Sequence, residues 1–147
     1  MGLSKQHIDM NTVPYRVDFT ALGEALKHNV PEIEFAYIMG SAADNGEVKP
    51  RSDLDIAVFL KGKADLKIYD TIQTICGDIV GPVRCDLGFL NTDEPVYRFE
   101  AIKGRLLFAR NRELWMNFYS LTCREYENQM LHYARQRKYR LEVSHEL

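Results

Sequence analysis

Phe35-Ala36-Tyr37-Ile38-Met39-Gly40-Ser41 and, eleven residues later, Asp53-Leu54-Asp55-Ile56-Ala57-Val58-Phe59-Leu60 decide how this chain reads. The apolar run ahead of Gly40 predicts a strand from Glu34 to Met39, and the second run predicts another from Asp53 to Leu60. Side chains on a strand alternate between faces, so Asp53 and Asp55 share one. Two carboxylates on one face of a strand bound for the interior repel each other and are costly to desolvate. No Lys or Arg lies between Asp53 and Leu60 to neutralise them. A third acid, Asp86, interrupts Val83-Arg84-Cys85-Asp86-Leu87-Gly88-Phe89-Leu90, the next predicted strand. A bound cation is the simplest compensation. Three convergent carboxylates suit Mg²⁺, a hard ion that takes oxygen ligands and fills its shell with phosphates and water. An isolated Asp-x-Asp more often marks a solvated strand end or a helix cap. The preceding Gly-Ser turn and the third acid move the reading to metal and phosphate.

Gly40-Ser41 fits the same chemistry. Ser41-Ala42-Ala43 predicts the start of a short helix, which places backbone N–H groups beside Gly40 and Ser41. Such a start attracts anions, and glycine lets the backbone approach a phosphate closely. Read without the acids, the dipeptide would be an ordinary strand-to-helix turn.

Working outward, Asp18 or Thr20 caps a helix through Lys27, with Leu22, Ala25 and Leu26 at helical spacing. Ala64 to Cys76 is a second helix through Leu66, Tyr69, Ile72 and Ile75 or Cys76, after which Gly77, Gly81 and Pro82 punctuate the chain. Asp93-Glu94-Pro95 starts another, with Val96, Phe99 and Ile102 on one face, and Arg105 to Ala109 is a final strand. From Asn111 to about His145 the pattern predicts one or two helices. Their stripe of Trp115, Tyr119, Thr122, Tyr126, Met130 and Tyr133 is expected to pack on the sheet domain, with a partner-binding surface as the alternative. Arg135-Gln136-Arg137-Lys138-Tyr139-Arg140, the one basic cluster, reads as a solvated helix face.

The order of elements predicts one α+β domain over residues 1–147, with a core of about 17–110 and a C-terminal helical segment of about 111–145. A chain of 147 residues buries a core without staples, and 46% hydrophobic with 27% charged residues is the composition of a globular protein. A net charge of −2 argues against a dedicated nucleic-acid binder. Cys76, Cys85 and Cys123 have no zinc spacing and read as reduced, buried thiols of a cytoplasmic protein. His7, His28, His132 and His145 are scattered without metal-ligand spacing. Residues 1–10 lack an apolar signal core, and Gln6 breaks the acylation motif that Gly2 would open. No Walker loop, Rossmann fingerprint or nucleophile elbow is present.

Gly-Ser, a linker, Asp-x-Asp and a later strand Asp resemble the nucleotidyltransferase superfamily typified by DNA polymerase β. Within it the chain is most similar to the minimal nucleotidyltransferase (MNT) proteins of prokaryotes, from about Glu34 to Asn111. The resemblance implies a mixed β-sheet flanked by helices, with the C-terminal helices as an extension. It implies Asp53, Asp55 and Asp86 as catalytic residues and ligands of two Mg²⁺ ions, and Gly40 and Ser41 as the phosphate grip of an ATP site. Eleven residues, Ala42 to Ser52, part Ser41 from Asp53, one more than the family's usual spacing. Asp44 stands where many members carry Arg, and Arg51, beside Ser52, is the candidate to supply that cation. The implied activity is transfer of AMP from ATP to a hydroxyl of a partner protein, the partner being a HEPN-family RNase toxin. Two alternatives accompany it: an antitoxin that binds nucleotide but acts by occlusion, and a small-molecule nucleotidyltransferase of the antibiotic-modifying type.

Overall fold

In a computed structural model the described residues are 13–146; the readings made on residues 1–10 lie outside them. The elements run β1 (Tyr15–Arg16), α1 (Phe19–Asn29), β2 (Ile33–Met39), α2 (Ala42–Asn45), β3 (Glu47–Val48), β4 (Leu54–Leu60), α3 (Leu66–Val80), β5 (Cys85–Phe89), α4 (Pro95–Ile102), β6 (Arg105–Ala109) and α5 (Arg112–Glu146). Four strands form a sheet in the order β5-β4-β2-β6, and β1 and β3 form a separate two-residue ladder. β2 is antiparallel to both β4 and β6, whereas β4 and β5 are parallel and joined by the α3 crossover. The domain is therefore α+β with a mixed sheet.

Strand alternation sorts the core into two layers. Ala36, Ile38, Leu54, Ile56 and Val58 face α1 and α3, where Leu22, Leu26, Ile72, Cys76 and Val80 complete one cluster. Phe35, Tyr37 and Ala57 face the other way and meet Ala101 and Ile102 of α4 and Phe118 of α5. Burying one such Leu, Ile or Phe contributes about 1.5–3 kcal/mol, more than the whole spread of strand propensities, about 1 kcal/mol. Burial therefore decides the register. Asp55 falls on the α4–α5 side, in step with Ala57.

Caps fix several boundaries. Asp18 accepts from the Ala21 N–H at 3.0 Å and begins α1; Asp65 accepts from the Ile68 N–H at 2.7 Å and begins α3. Helix α3 continues past Cys76 and Gly77 to Val80 and stops at Gly81, where φ is +74°. A helical glycine costs about 1 kcal/mol, and burial of Val80 more than offsets it, so Gly77 does not punctuate. β4 begins at Leu54, leaving Asp53 in the preceding segment, and β5 is shorter than the apolar run around it.

Two amphipathic faces differ from their sequence reading. On α4 the inward residues are Tyr97, Phe99, Ala101 and Ile102, so Phe99 and Ile102 pack as read, while Val96 is 43% exposed. The C-terminal segment is one helix of 35 residues. Among the described residues its buried side chains are Phe118 and Thr122, and Trp115 packs against the same cluster, whereas Tyr119 and Tyr133 are 40% and 43% exposed. Tyr126 does pack, stacking on Phe99 with ring centroids 3.7 Å apart. Residues 131–142 of α5, including the basic cluster, are all exposed.

Arg110 locks the start of this helix to the rest of the domain. Its Nε donates to the Ile33 carbonyl at 2.6 Å, and its Nη2 to the carbonyls of Val30 at 3.1 Å and of Lys27. One guanidinium thus satisfies carbonyls at the end of α1 and the start of β2, where the helix leaves acceptors unpaired.

Candidate active site

The parallel register of β4 and β5 sets Asp55 directly beside Asp86. Both side chains leave the sheet on the α4–α5 face, because Leu54 and Ile56 of β4 and Cys85 and Leu87 of β5 all pack on the opposite side. The antiparallel partner of Asp55 on β2 is Met39, which brings Gly40 to the same end of the sheet. Gly40 has φ +73°, and a Cβ there would stand 3.3 Å from Oδ2 of Asp55. The Gly-Ser turn and the second acid are therefore in contact, as the sequence pattern requires.

Asp53 is exposed just before β4, and its backbone neighbour Leu54 is anchored by a hydrogen bond to the Arg84 carbonyl at 2.9 Å. Burial first, then the charges of Asp86 and Asp53, raise the Asp55 pKa above the ordinary carboxylate value. Asp55 thus feels the charge of both other acids. Among the described residues no three His, Cys, Asp or Glu side chains are gathered closely enough to form a ready-made metal cluster. The donor set is nonetheless all hard oxygen, and a divalent cation would reverse the repulsion felt by Asp55, so the residues fit Mg²⁺.

Around the turn the picture is more mixed. Ser41 is exposed at the start of α2 and makes no side-chain cap. The N–H groups of Ala43 and Asp44 bond the carbonyls of Gly40 and Ser41 at 3.2 and 3.3 Å, so those two donors are committed to the turn itself. The expected row of free N–H groups is correspondingly shorter. The segment from Ala42 to Ser52 is shaped by two turns. Gly46, at φ +73°, ends α2 and leads into β3, and the Asn45 side chain accepts from the Glu47 N–H at 2.9 Å. A turn then closes with Ser52 N–H on the Lys49 carbonyl at 3.0 Å, Pro50 in second place and Arg51 in third at φ +64°. Positive φ at the third residue is normally glycine's place. Arg51 and Ser52 are both exposed on this turn.

One residue escaped the sequence reading. Tyr97, in the first turn of α4, reaches across β5: a Cβ on Gly88 would overlap its phenol oxygen and lie 3.0 Å from its Cζ. Burial, then Asp86, then Asp55 push its pKa above the usual value. A glycine inside a predicted strand marks a close approach, and Gly88 carried that signal two residues after Asp86. The thiols of Cys76 and Cys85 are free and buried, and their mutual hydrogen bond pushes Cys76 up and Cys85 down. On the same side of the sheet as the acids, Trp115 Nε1 donates to the Tyr37 hydroxyl at 2.5 Å and pins α5 to β2. Among the described residues no helix is long and apolar enough to cross a membrane.

Comparison with known proteins agrees with this geometry. The family described as polymerase beta, nucleotidyltransferase matches residues 21–113, which include Gly40, Ser41 and all three acids. No curated protein matches significantly. Among solved structures, a mutant MntA–HpeT toxin–antitoxin complex contains a chain that superposes with a TM-score of 0.66 at 18% identity, over 79% of this chain and 92% of that one. A toxin–antitoxin with AMP-PNP gives 0.65 at 18% identity, with the same coverage of 79% and 92%. A tri-AMPylated HEPN toxin in complex with MNT antitoxin, from Shewanella oneidensis, gives 0.56 at 18% identity, over 74% and 83%. At these identities the likeness is one of fold. With the family match spanning more than half of its length, the chain belongs to the polymerase β nucleotidyltransferase family.

Proposed function

We propose that this protein is a Mg²⁺-dependent nucleotidyltransferase that moves AMP from ATP to a hydroxyl of a partner protein, and that it is the antitoxin of a HEPN-type RNase toxin. The observation that carries the chemistry is the pairing of Asp55 with Asp86 on parallel strands, with Gly40 pressed against Asp55. The partner is supported by the fold shared with toxin–antitoxin complexes, one holding AMP-PNP and one an AMPylated toxin.

Asp53, Asp55 and Asp86 would hold Mg²⁺. Two such ions, when bound, neutralise charge on the attacking and leaving oxygens of an in-line displacement. The chain's own residues do the rest by placement. Gly40, lacking a side chain, lets the triphosphate approach the backbone, and the Ser41 hydroxyl faces solvent where the β and γ phosphates would lie. Arg51 projects from the turn ahead of Asp53 and brings the positive charge that Asp44 does not. Asp86 lies on β5, the edge strand, and is exposed, so an acceptor held by another protein can reach it. There it orients the acceptor hydroxyl and takes its proton. The acceptor oxygen bonds to the α-phosphorus as the bond to the bridging oxygen breaks, and pyrophosphate leaves.

The test uses ATP labelled at the α-phosphate, with Mg²⁺, the chain, and a HEPN protein encoded beside it. Label on the HEPN protein that is lost in Asp53→Ala/Asp55→Ala supports the reading. Absence of label, with equal inhibition of the RNase by wild type and double variant, would leave an antitoxin that acts by occlusion.

A further inference from the structure

Helix α5 docks on the domain through Trp115, Phe118 and Thr122, and the residues that follow these three are Met116, Tyr119 and Cys123. One residue turns a helix by about 100°, so Met116, Tyr119 and Cys123 begin a second stripe beside the docked one. It continues with Tyr126, Met130 and Tyr133, at steps of three, four, three, four and three. That alternation is the a/d seam of a helix pair. The fold leaves the seam incompletely covered. Met116, Tyr119 and Tyr133 are 42%, 40% and 43% exposed, and Cys123, Tyr126 and Met130 are half-buried. Its rings are already held in place. Trp115 meets Tyr119 edge-on at 6.3 Å, Tyr126 stacks on Phe99, and Gln129 donates to the Tyr133 hydroxyl at 2.6 Å. Pairing therefore costs little further side-chain entropy.

We infer that this seam is a homodimer interface, in which α5 of one copy lies antiparallel to α5 of another. A two-fold axis between Cys123 and Tyr126 sets Met116 opposite Tyr133, Tyr119 opposite Met130 and Cys123 opposite Tyr126. Every layer then places a sulfur side chain against a tyrosine ring, a contact worth about 0.3–1.5 kcal/mol. A parallel pair would instead set Met against Met and Tyr against Tyr. Charge agrees with the reversal. Of the positions flanking the seam, Ser120, Thr122, Glu127 and Gln129, only Glu127 is charged, and it comes to lie beside Ser120 of the other copy. No like charges meet along the seam, and Arg137, next in the pattern, ends it ahead of the rest of the basic cluster. Residues 116–133 span about 27 Å of helix. Over both copies the seam and its flanks bury on the order of 1,000 Å², the lower bound for a specific association. The pair is accordingly of micromolar strength.

The experiment is sedimentation of the full chain across the micromolar range, with far-UV circular dichroism to check the fold of each variant. Wild type should pass from monomer to dimer. Tyr119→Glu puts a carboxylate into two layers of the dimer at a position exposed in the single chain. It should keep the helix and raise the dimer dissociation constant by more than about tenfold. A chain carrying both Met116→Cys and Tyr133→Cys should crosslink in oxidised glutathione, with peptides joining position 116 of one copy to position 133 of the other. A wild type that stays monomeric, a dimer unaffected by Tyr119→Glu, or crosslinks joining 116 to 116 would each overturn the inference. A monomeric wild type whose complex with the HEPN protein is lost in Tyr119→Glu would overturn it in favour of that partner as the occupant. No readout involves nucleotide, so the dimer and the proposed AMP transfer stand or fall separately.

Discussion

Replacing Phe118 by Ala should cost far more than replacing its neighbour Tyr119, although the aromatic stripe of α5 includes Tyr119 and omits Phe118. Phe118 is 6% exposed, with its ring 4.9 Å from that of Phe35 and 5.5 Å from that of Phe59. The Arg98 guanidinium covers its other side at 4.5 Å. Truncating a buried phenylalanine costs about 3–5 kcal/mol, and the losses of ring and cation contacts are contained in that figure. Tyr119 is 40% exposed and meets Trp115 edge-on at 6.3 Å. One such pair is worth about 0.5–1.5 kcal/mol. The assay is urea unfolding followed by far-UV circular dichroism. With a slope of about 2 kcal/mol per molar urea, a loss of about 4 kcal/mol moves the midpoint of Phe118→Ala down by about 2 M. Tyr119→Ala should fall by about 0.5 M on the same scale. Equal midpoints for the two variants, or a larger fall for Tyr119→Ala, would refute the docking of α5 through Phe118.

Asp55→Asn should raise the unfolding midpoint at neutral pH while abolishing the AMP transfer proposed above. The folded-state pKa of Asp55 is raised by burial and by Asp86 and Asp53, so the ionised form costs stability. That cost is absent below the unfolded value of 3.8 and grows as pH rises through the folded pKa. Melting curves from acidic to neutral pH should therefore show the advantage of Asn appearing only on the neutral side, and a constant offset would contradict this. Arg51→Gly relieves a left-handed backbone at φ +64° and should stabilise by about 1 kcal/mol. The same change removes the guanidinium that the proposed function assigns to the nucleotide, and KM for ATP should rise, so stability and binding should move in opposite senses. Arg110→Lys keeps the charge but cannot fork across three carbonyls, and should cost about 2–3 kcal/mol by urea titration. A loss below about 0.5 kcal/mol would mean that water replaces the clamp.

The acids and the Gly-Ser turn were legible because their chemistry is local: period-two spacing and a turn dipeptide read directly from neighbours in the chain. Strands β2, β4 and β6 were legible for the same reason. What stayed hidden depends on elements crossing. Tyr97 looked like one of eight tyrosines until α4 was laid over β5, although Gly88 within an apolar run already marked a close approach. Phe118 was overlooked because a helix stripe drawn through the largest aromatics takes Tyr119, and helical spacing alone does not say which stripe the sheet accepts. Gly77 was read as a stop because its intrinsic cost is visible in sequence and the burial of Val80 is not. β1 and β3, each of two residues, are too short to leave any periodicity.

The parallel pairing of β4 with β5 also bears on how the chain folds. Asp55 and Asp86 belong to strands separated by the whole of α3, so they meet only when a non-local crossover closes. Pairings of that kind pay their loop entropy before any contact rewards it and are slow to form. Here the closing strand also carries a negative charge towards another. The antiparallel β2–β4 pair can collapse without that penalty, since Met39 faces Asp55 across it. The cluster of acids is thus a brake on its own assembly, applied at the sheet edge after the centre is in place. Divalent cations should release it, accelerating refolding of the β5 edge while leaving the earlier collapse untouched.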